Sequence, residues 1–152
     1  MTTARSAVPT WFDADQVRLT GLACPACRSI FFPPTLDACR NPGCSSETLE
    51  PHALANRGRV WSWTRNHYQP PAPYVAAEPF EPYTVLAVEL EADGLVVLGQ
   101  LSPASRAIEV GDWVSLRSEP LLEDESGIQL VWRWSAEDSE NPDLPGDEER
   151  AR

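Results

Sequence analysis

From residue 54 onward the chain reads as short runs of alternating apolar and polar positions separated by turn residues. Residues 58–67 are rich in aromatic and β-branched side chains, which favour a pleated, half-buried strand. Residues 83–91 and 95–101 flank Ala92-Asp93-Gly94, a hairpin signal. Residues 112–118 and 128–134 are joined by the polar stretch Glu123-Asp124-Glu125-Ser126-Gly127. Five such strands in about eighty residues, with no helical crossover, predict a small antiparallel barrel. Within residues 112–118 the two-residue period buries Val114 and Leu116 and turns Trp113, Ser115 and Arg117 outward. Upstream, the pattern predicts one short helix over residues 11–17, with Asp13 and Asp15 near its start. Purely apolar runs, such as Leu95-Val96-Val97-Leu98, do not exceed four residues, far below the roughly 20 a membrane-spanning helix needs.

Residues 21–50 carry all four cysteines. Cys24 and Cys27 are separated by two residues and Cys39 and Cys44 by four, with eleven between the pairs. Two short pairs suit a tetrahedral zinc site, because each bends tightly enough to place two sulfurs on one ion. Pro25 and Asn41-Pro42-Gly43 supply the turn residues. Two disulfides or four free thiols are the competing reading. A segment of about thirty residues cannot bury a sufficient core unaided, and a metal replaces the missing stabilisation. Cysteine pairs of this kind fit a reducing compartment, and residues 1–6 lead into no apolar signal segment, so a cytoplasmic location is expected.

Charge narrows the function classes. Twelve basic residues, all arginine, face 23 acidic ones, for a net charge of −11. Long-range repulsion makes such a chain a poor reader of a phosphate backbone. Residues 136–152 hold seven acidic residues against two arginines and read as a flexible acidic tail. Residues 69–82 hold five of the fifteen prolines and read as a long, stiff loop of functional rather than merely connecting character. The expected organisation is an N-terminal helical segment (1–20), a zinc ribbon (21–50), the barrel (51–135) and the tail (136–152).

An ordered set of short motifs resembles one bacterial and archaeal family. The set runs Trp11-Phe12, Gly21-Leu22-Ala23-Cys24-Pro25-Ala26-Cys27 and Phe32-Pro33-Pro34, then Gly58-Arg59-Val60-Trp61-Ser62-Trp63-Thr64, Pro82-Tyr83, Val88-Glu89-Leu90 and Ile108-Glu109-Val110-Gly111-Asp112. The family joins an N-terminal rubredoxin-like zinc ribbon to an OB-fold and was long catalogued as a domain of unknown function. The resemblance implies a mostly β protein: a ribbon preceded by a short helix and followed by a five-stranded OB-fold barrel. It also implies an accessory subunit of a thiolase-fold enzyme, in a two-plus-two heterotetramer. Relatives take part in thiolytic or retro-aldol cleavage of β-oxidised acyl-CoAs, such as steroid side-chain or aromatic degradation intermediates. The implied cofactors are a structural zinc and an acyl-CoA shared with the partner.

Autonomous catalysis is not expected. The only histidines are His52 and His67, the cysteines are committed to metal, and neither a nucleophile elbow nor a glycine-rich phosphate loop is present. A closed four-thiolate shell leaves zinc no open coordination position. Ligand contact is expected instead from the first barrel strand and the loop after it. Alternation places Trp61, Trp63, Arg65 and His67 on one face. Trp61 reads as core, whereas Trp63 fits core and ligand contact equally. Trp63, Arg65, His67, Tyr68 and Phe80 form the candidate acyl-CoA contact set, and Tyr68, Tyr74 and Phe80 place aromatics on the proline-rich loop. Trp113 reads either as a partner anchor or as a cover for a barrel end. Two alternatives stand beside the accessory role: a stand-alone acyl-CoA-binding module, and a single-stranded nucleic-acid module with arginines among aromatics. The second requires a cationic surface that this chain does not carry.

Overall fold

A computed structural model of the chain describes residues 3–72 and 79–137, and every regular element among them is a β-strand. The N-terminal part contributes β1 (Ala4–Ser6), β2 (Phe12–Asp13), β3 (Arg18–Ala23), β4 (Ile30–Phe31) and β5 (Glu50–Ala53). The rest contributes β6 (Arg57–Asn66), β7 (Tyr83–Leu90), β8 (Leu95–Gln100), β9 (Trp113–Asp124) and β10 (Gly127–Ala136).

The helix expected over residues 11–17 is not there. Asp13 behaves as a helix cap for one turn only, its carboxylate accepting from the amides of Asp15 and Gln16 at 3.0 Å each. Val17 then takes a left-handed conformation, φ 54°, which reverses the chain. A hairpin results, with Phe12 opposite Leu19 and Asp13 opposite Arg18. The capping signal was local, and the long-range burial of Phe12 and Leu19, both fully inaccessible, decided between helix and strand.

β3 is the spine of the ribbon, pairing with β2, β4 and β5. The main sheet runs β8-β7-β6-β9-β10, all antiparallel, with β1 added in parallel along β10. A parallel bridge between Leu101 and Trp134 draws the outer strands β8 and β10 toward each other, rolling the sheet into a half-barrel. The expected hairpin forms between β7 and β8, with Gly94 at φ 68° closing its turn. β9 runs further than expected, through Pro120. It does so because a register shift opposite Gln129 and Leu130 leaves Leu121 as an extra residue.

Phe12, Leu19, Leu54, Val60, Leu86, Val88, Leu90, Val97, Ile108, Val114, Leu116 and Trp134 form one core. Val114 and Leu116 are buried as their period required, at 0% and 4% exposure. Ribbon and half-barrel share this core. Trp11, Phe12 and Phe32 meet Trp132 of β10 at ring separations of 6.5, 6.0 and 6.3 Å. At the other end of the junction, Asp93 in the β7–β8 turn receives His52 Nε2 at 2.9 Å and the Ala55 amide at 2.7 Å.

Trp61 corrects a second expectation: it is 63% exposed rather than core. The cause lies in the backbone. β6 pairs with β9 only over Arg57–Arg59, and its register on β7 shifts between Val60 and Ser62, so Trp61 occupies a bulge. Beyond the bulge β6 continues on β7 alone, with no strand on its other edge among the described residues.

Candidate functional site

The ribbon places its four cysteines around one point. Cys24 follows β3 directly, and the Arg28 amide donates to its carbonyl at 2.8 Å while Arg28 itself turns at φ 65°. This closes the first knuckle. The second is closed by the Cys44 amide donating to the Asn41 carbonyl at 2.9 Å and by the Gly43 amide donating to Asn41 Oδ1 at 3.0 Å. The four Sγ atoms all lie within 4.8 Å of one another. Cys24 and Cys44 are 3.8 Å apart and Cys27 and Cys39 3.6 Å. A zinc tetrahedron with Zn–S bonds of about 2.3 Å has edges of about 3.8 Å, so the donor set fits that ion in size and in chemistry. Four sulfurs close the shell, which assigns zinc a structural role.

Crowding splits the acidities of the thiols. Hydrogen bonding with the Ser29 side chain, 3.2 Å away, and with its backbone lowers Cys27 to about 6. The Cys27 amide likewise lowers Cys24. At Cys39 the Asn41 amide acts in the same sense, but burial and the thiols of Cys27, Cys24 and Cys44 outweigh it and push the group up to about 12. Cys44 is raised too: the Ser46 amide lowers it, and burial and the neighbouring thiols win. Two sulfurs that release protons readily beside two that hold them is the expected outcome of four thiols facing one another. Ser29 and Asn41, joined at 3.4 Å, support the sulfurs; a reading of cysteine spacing alone does not reveal them.

A second site lies on the half-barrel. A groove of about 780 Å³ is bounded by Trp63 and Arg65 of β6, residues 80–82, Tyr83 and Thr84 of β7, residues 100–103 and 105–108, Leu121 of β9 and Arg133 of β10, with Glu81 as a carboxylate in its wall. Its size is that of small-molecule sites, and its walls are mostly apolar with a few polar groups. Of the five candidate contact residues, Trp63, Arg65 and Phe80 line it. His67 and Tyr68 are exposed beyond it, and Tyr74 lies outside the described residues. Trp63 and Arg65 oppose the buried Leu86 and Thr84 of β7, so they stand on the core-facing side of β6 beyond its pairing with β9. Phe80 meets Tyr83 edge-on at 6.3 Å.

The cations of the groove differ. Arg133 is paired with Glu119 at 3.2 Å. Arg106 is paired with Asp112 at 3.2 Å and donates to the Glu137 carbonyl at 2.8 Å. Arg65 is exposed and donates to Thr84 Oγ1 at 3.3 Å, with no carboxylate in ion-pair range among the described residues. Arg106, Ile108, Leu121 and Arg133 were not foreseen. They come from three separate segments, and no local pattern marks them as neighbours of β6.

Trp113 sits on the opposite face of the sheet. The guanidinium carbons of Arg57 and Arg59 lie 3.9 and 4.7 Å from its ring centroid. Arg57 is held by Glu137 at 2.7 Å, so Trp113 is half-covered by its own chain.

A four-thiolate ribbon packed on a β half-barrel defines the class: a zinc-ribbon protein with an appended OB-type half-barrel. Residues 11–50 match the family described as the ChsH2 rubredoxin-like zinc ribbon domain, and residues 51–118 match the ChsH2 C-terminal OB-fold domain. The chain belongs to this ChsH2-type family of zinc ribbon followed by OB-fold. Among solved structures it is similar to a chain described as the Ltp2-ChsH2(DUF35) aldolase. The identity is 29% and the TM-score 0.59, over 85% of this chain and 98% of the other. No curated protein matches the sequence.

Proposed function

We propose that the chain is a non-catalytic accessory subunit of a thiolase-superfamily enzyme complex that cleaves a β-oxidised acyl-CoA, thiolytically or by retro-aldol chemistry. Steroid side-chain and aromatic degradation intermediates are the substrate classes in view. The observation that carries the reading is the likeness to the Ltp2-ChsH2(DUF35) aldolase chain over 98% of that chain's length. The groove supports it as a mostly apolar cavity of small-molecule size with arginines at its wall. Trp63 and Phe80 supply apolar wall for the acyl part, and Arg65 supplies a cation for the anionic part, with His67 and Tyr68 at the rim. The division into residues 1–20, 21–50, 51–135 and 136–152, a cytoplasmic location and a two-plus-two assembly on a thiolase-fold dimer belong to the same reading. The single-stranded nucleic-acid alternative would use the exposed tryptophans of β6, and a net charge of −11 opposes it.

Calorimetric titration with a panel of acyl-CoA esters tests the reading, with the chain alone and with a co-purified thiolase-fold partner. Binding to the complex is expected, with no turnover by the isolated chain. Arg65→Gln should weaken the complex's affinity by about tenfold, the effect of removing one charge-assisted contact. Turnover by the chain alone that a point substitution in it abolishes would contradict the proposal.

A further inference from the structure

We infer that the free edge of β6 over residues 61–66 receives a β-strand from the partner enzyme, an apolar segment flanked by carboxylates. The inference rests on the accessory-subunit reading and adds to it a surface and a mode of contact.

β6 is ten residues long and pairs with β7 as far as Asn66. On its other side, pairing with β9 ends at Arg59. The last backbone bonds there are the Val60 amide to the Asp112 carbonyl at 2.9 Å and the Gly111 amide to the Val60 carbonyl at 2.8 Å. Among the described residues no strand continues the ladder along 61–66. An open edge of this length invites pairing, and natural proteins guard such edges with lysine, proline or inward charges. This stretch, Trp61-Ser62-Trp63-Thr64-Arg65-Asn66, has no lysine or proline and instead exposes Trp61 and Trp63 at 63% and 48%. A large, rigid aromatic surface beside open backbone donors and acceptors is the combination that strand addition uses: backbone bonds supply affinity and side-chain contacts supply specificity.

Charge selects the occupant. Arg59 and Arg65 bracket the two tryptophans. Arg65 has no ion-pair partner among the described residues, whereas Arg59 reaches Glu91 at 4.0 Å and stacks on Trp113 at 4.7 Å. The complementary strand is therefore apolar in the middle and acidic at its ends. A second copy of this chain would bring another −11 of charge to the contact, which disfavours self-pairing. Because Trp63 and Arg65 also line the groove, a strand added here lies along the ligand site and becomes part of its enclosure.

Amide hydrogen exchange on the full chain, alone and with the thiolase-fold protein co-purified from the native host, tests the inference. Alternate amides within residues 61–66 should slow by about tenfold or more in the complex and exchange freely in the isolated chain. Trp61→Asp, which replaces the aromatic surface with a charge opposite the strand's apolar middle, and Thr64→Pro, which removes a backbone donor from β6, should each weaken partner binding by at least about tenfold. Zinc content and melting temperature report folding; if Thr64→Pro unfolds the chain, Trp61→Asp and the exchange data decide. Wild-type partner affinity in a folded variant, or unchanged exchange in the complex, would overturn the edge while leaving the accessory role standing. Slow exchange in the isolated chain would overturn it as well, pointing to a second copy if the mass is dimeric and to another part of this chain if monomeric. Recovery of no thiolase-fold protein would overturn both readings.

Discussion

Trp113 shows how neighbours reassign a residue. Its period turns it outward with Arg117, where a tryptophan beside an arginine reads as a docking anchor. In the fold Arg57 and Arg59 stack on it at 3.9 and 4.7 Å and remove much of its face from reach. Trp113→Ala is therefore expected to lower the melting temperature, by the loss of two stacked cations at about 0.5–1 kcal/mol each plus packing, while leaving partner affinity unchanged. Thermal unfolding and a binding titration check the two halves. Asp124, at the β9–β10 turn, shows the same reasoning for a titrating group. The Ser126 hydroxyl and amide and the Gln129 amide donate to its carboxylate and hold it below the usual carboxylate range. A folded-state value below the unfolded one means stability that is present above the unfolded value and lost as pH falls through the folded one. Asp124→Asn should thus melt slightly below wild type at neutral pH, and the difference should vanish in strong acid; paired melting curves across pH read it directly.

At the scale of elements, irregularities in strands decide where surfaces face. The bulge near Trp61 breaks the alternation that placed Trp61, Trp63, Arg65 and His67 together, and the one opposite Gln129 and Leu130 lets β9 pass through Pro120. β8 depends on a glycine for a different reason. A Cβ at Gly99 would sit 2.6 Å from Trp134 Nε1 and 3.1 Å from Trp132 Nε1. Both indoles are fixed, Trp134 by complete burial and Trp132 by three aromatic neighbours from the ribbon, so neither can yield. Gly99→Ala is expected to destabilise by about 1–3 kcal/mol through overpacking. Gly43→Ala, whose Cβ would meet only Asn41 Oδ1 at 3.6 Å, is the matched control and should melt near wild type.

At the scale of the whole molecule, ribbon and half-barrel share a core. Phe12 and Leu19 belong to the same buried cluster as Leu86, Val114 and Trp134, and Trp132 gathers the ribbon's aromatics. Metal and barrel stability are therefore coupled. The purified chain is expected to hold about one zinc, and a chelator should lower a single cooperative transition rather than abolish one of two. Scanning calorimetry with and without chelator tests this, and two separable transitions would contradict it. Zinc should also be released on acidification, because protons compete for the thiolates; Cys39, pushed up to about 12, is the sulfur that gives up its proton least readily. Cys44→Ser should lose most of the bound metal.

The sequence by itself determined what depends on short-range pattern. Two cysteine pairs with turn residues inside them specify a four-sulfur cluster wherever the chain goes. Two-residue alternation specified the burial of Val114 and Leu116, and Ala92-Asp93-Gly94 specified the β7–β8 reversal. The ordered motifs from Trp11-Phe12 to residues 108–112 carry the family resemblance by themselves. Tertiary structure decided whatever needed partners distant along the chain. Asp13 caps one turn in a helix or in a hairpin alike, and only the burial of Phe12 and Leu19 against β10 chose the hairpin. Trp61 reads as core and Trp63 fits core or ligand contact by alternation alone; pairing with β9 that stops at Arg59 leaves both exposed. The groove required β6, β7, β9, β10 and residues 101–108 together, and Arg106 and Arg133 entered it from segments with no local mark. The reason is physical: turn geometry and side-chain period act over a few residues, whereas burial is settled by which strands meet.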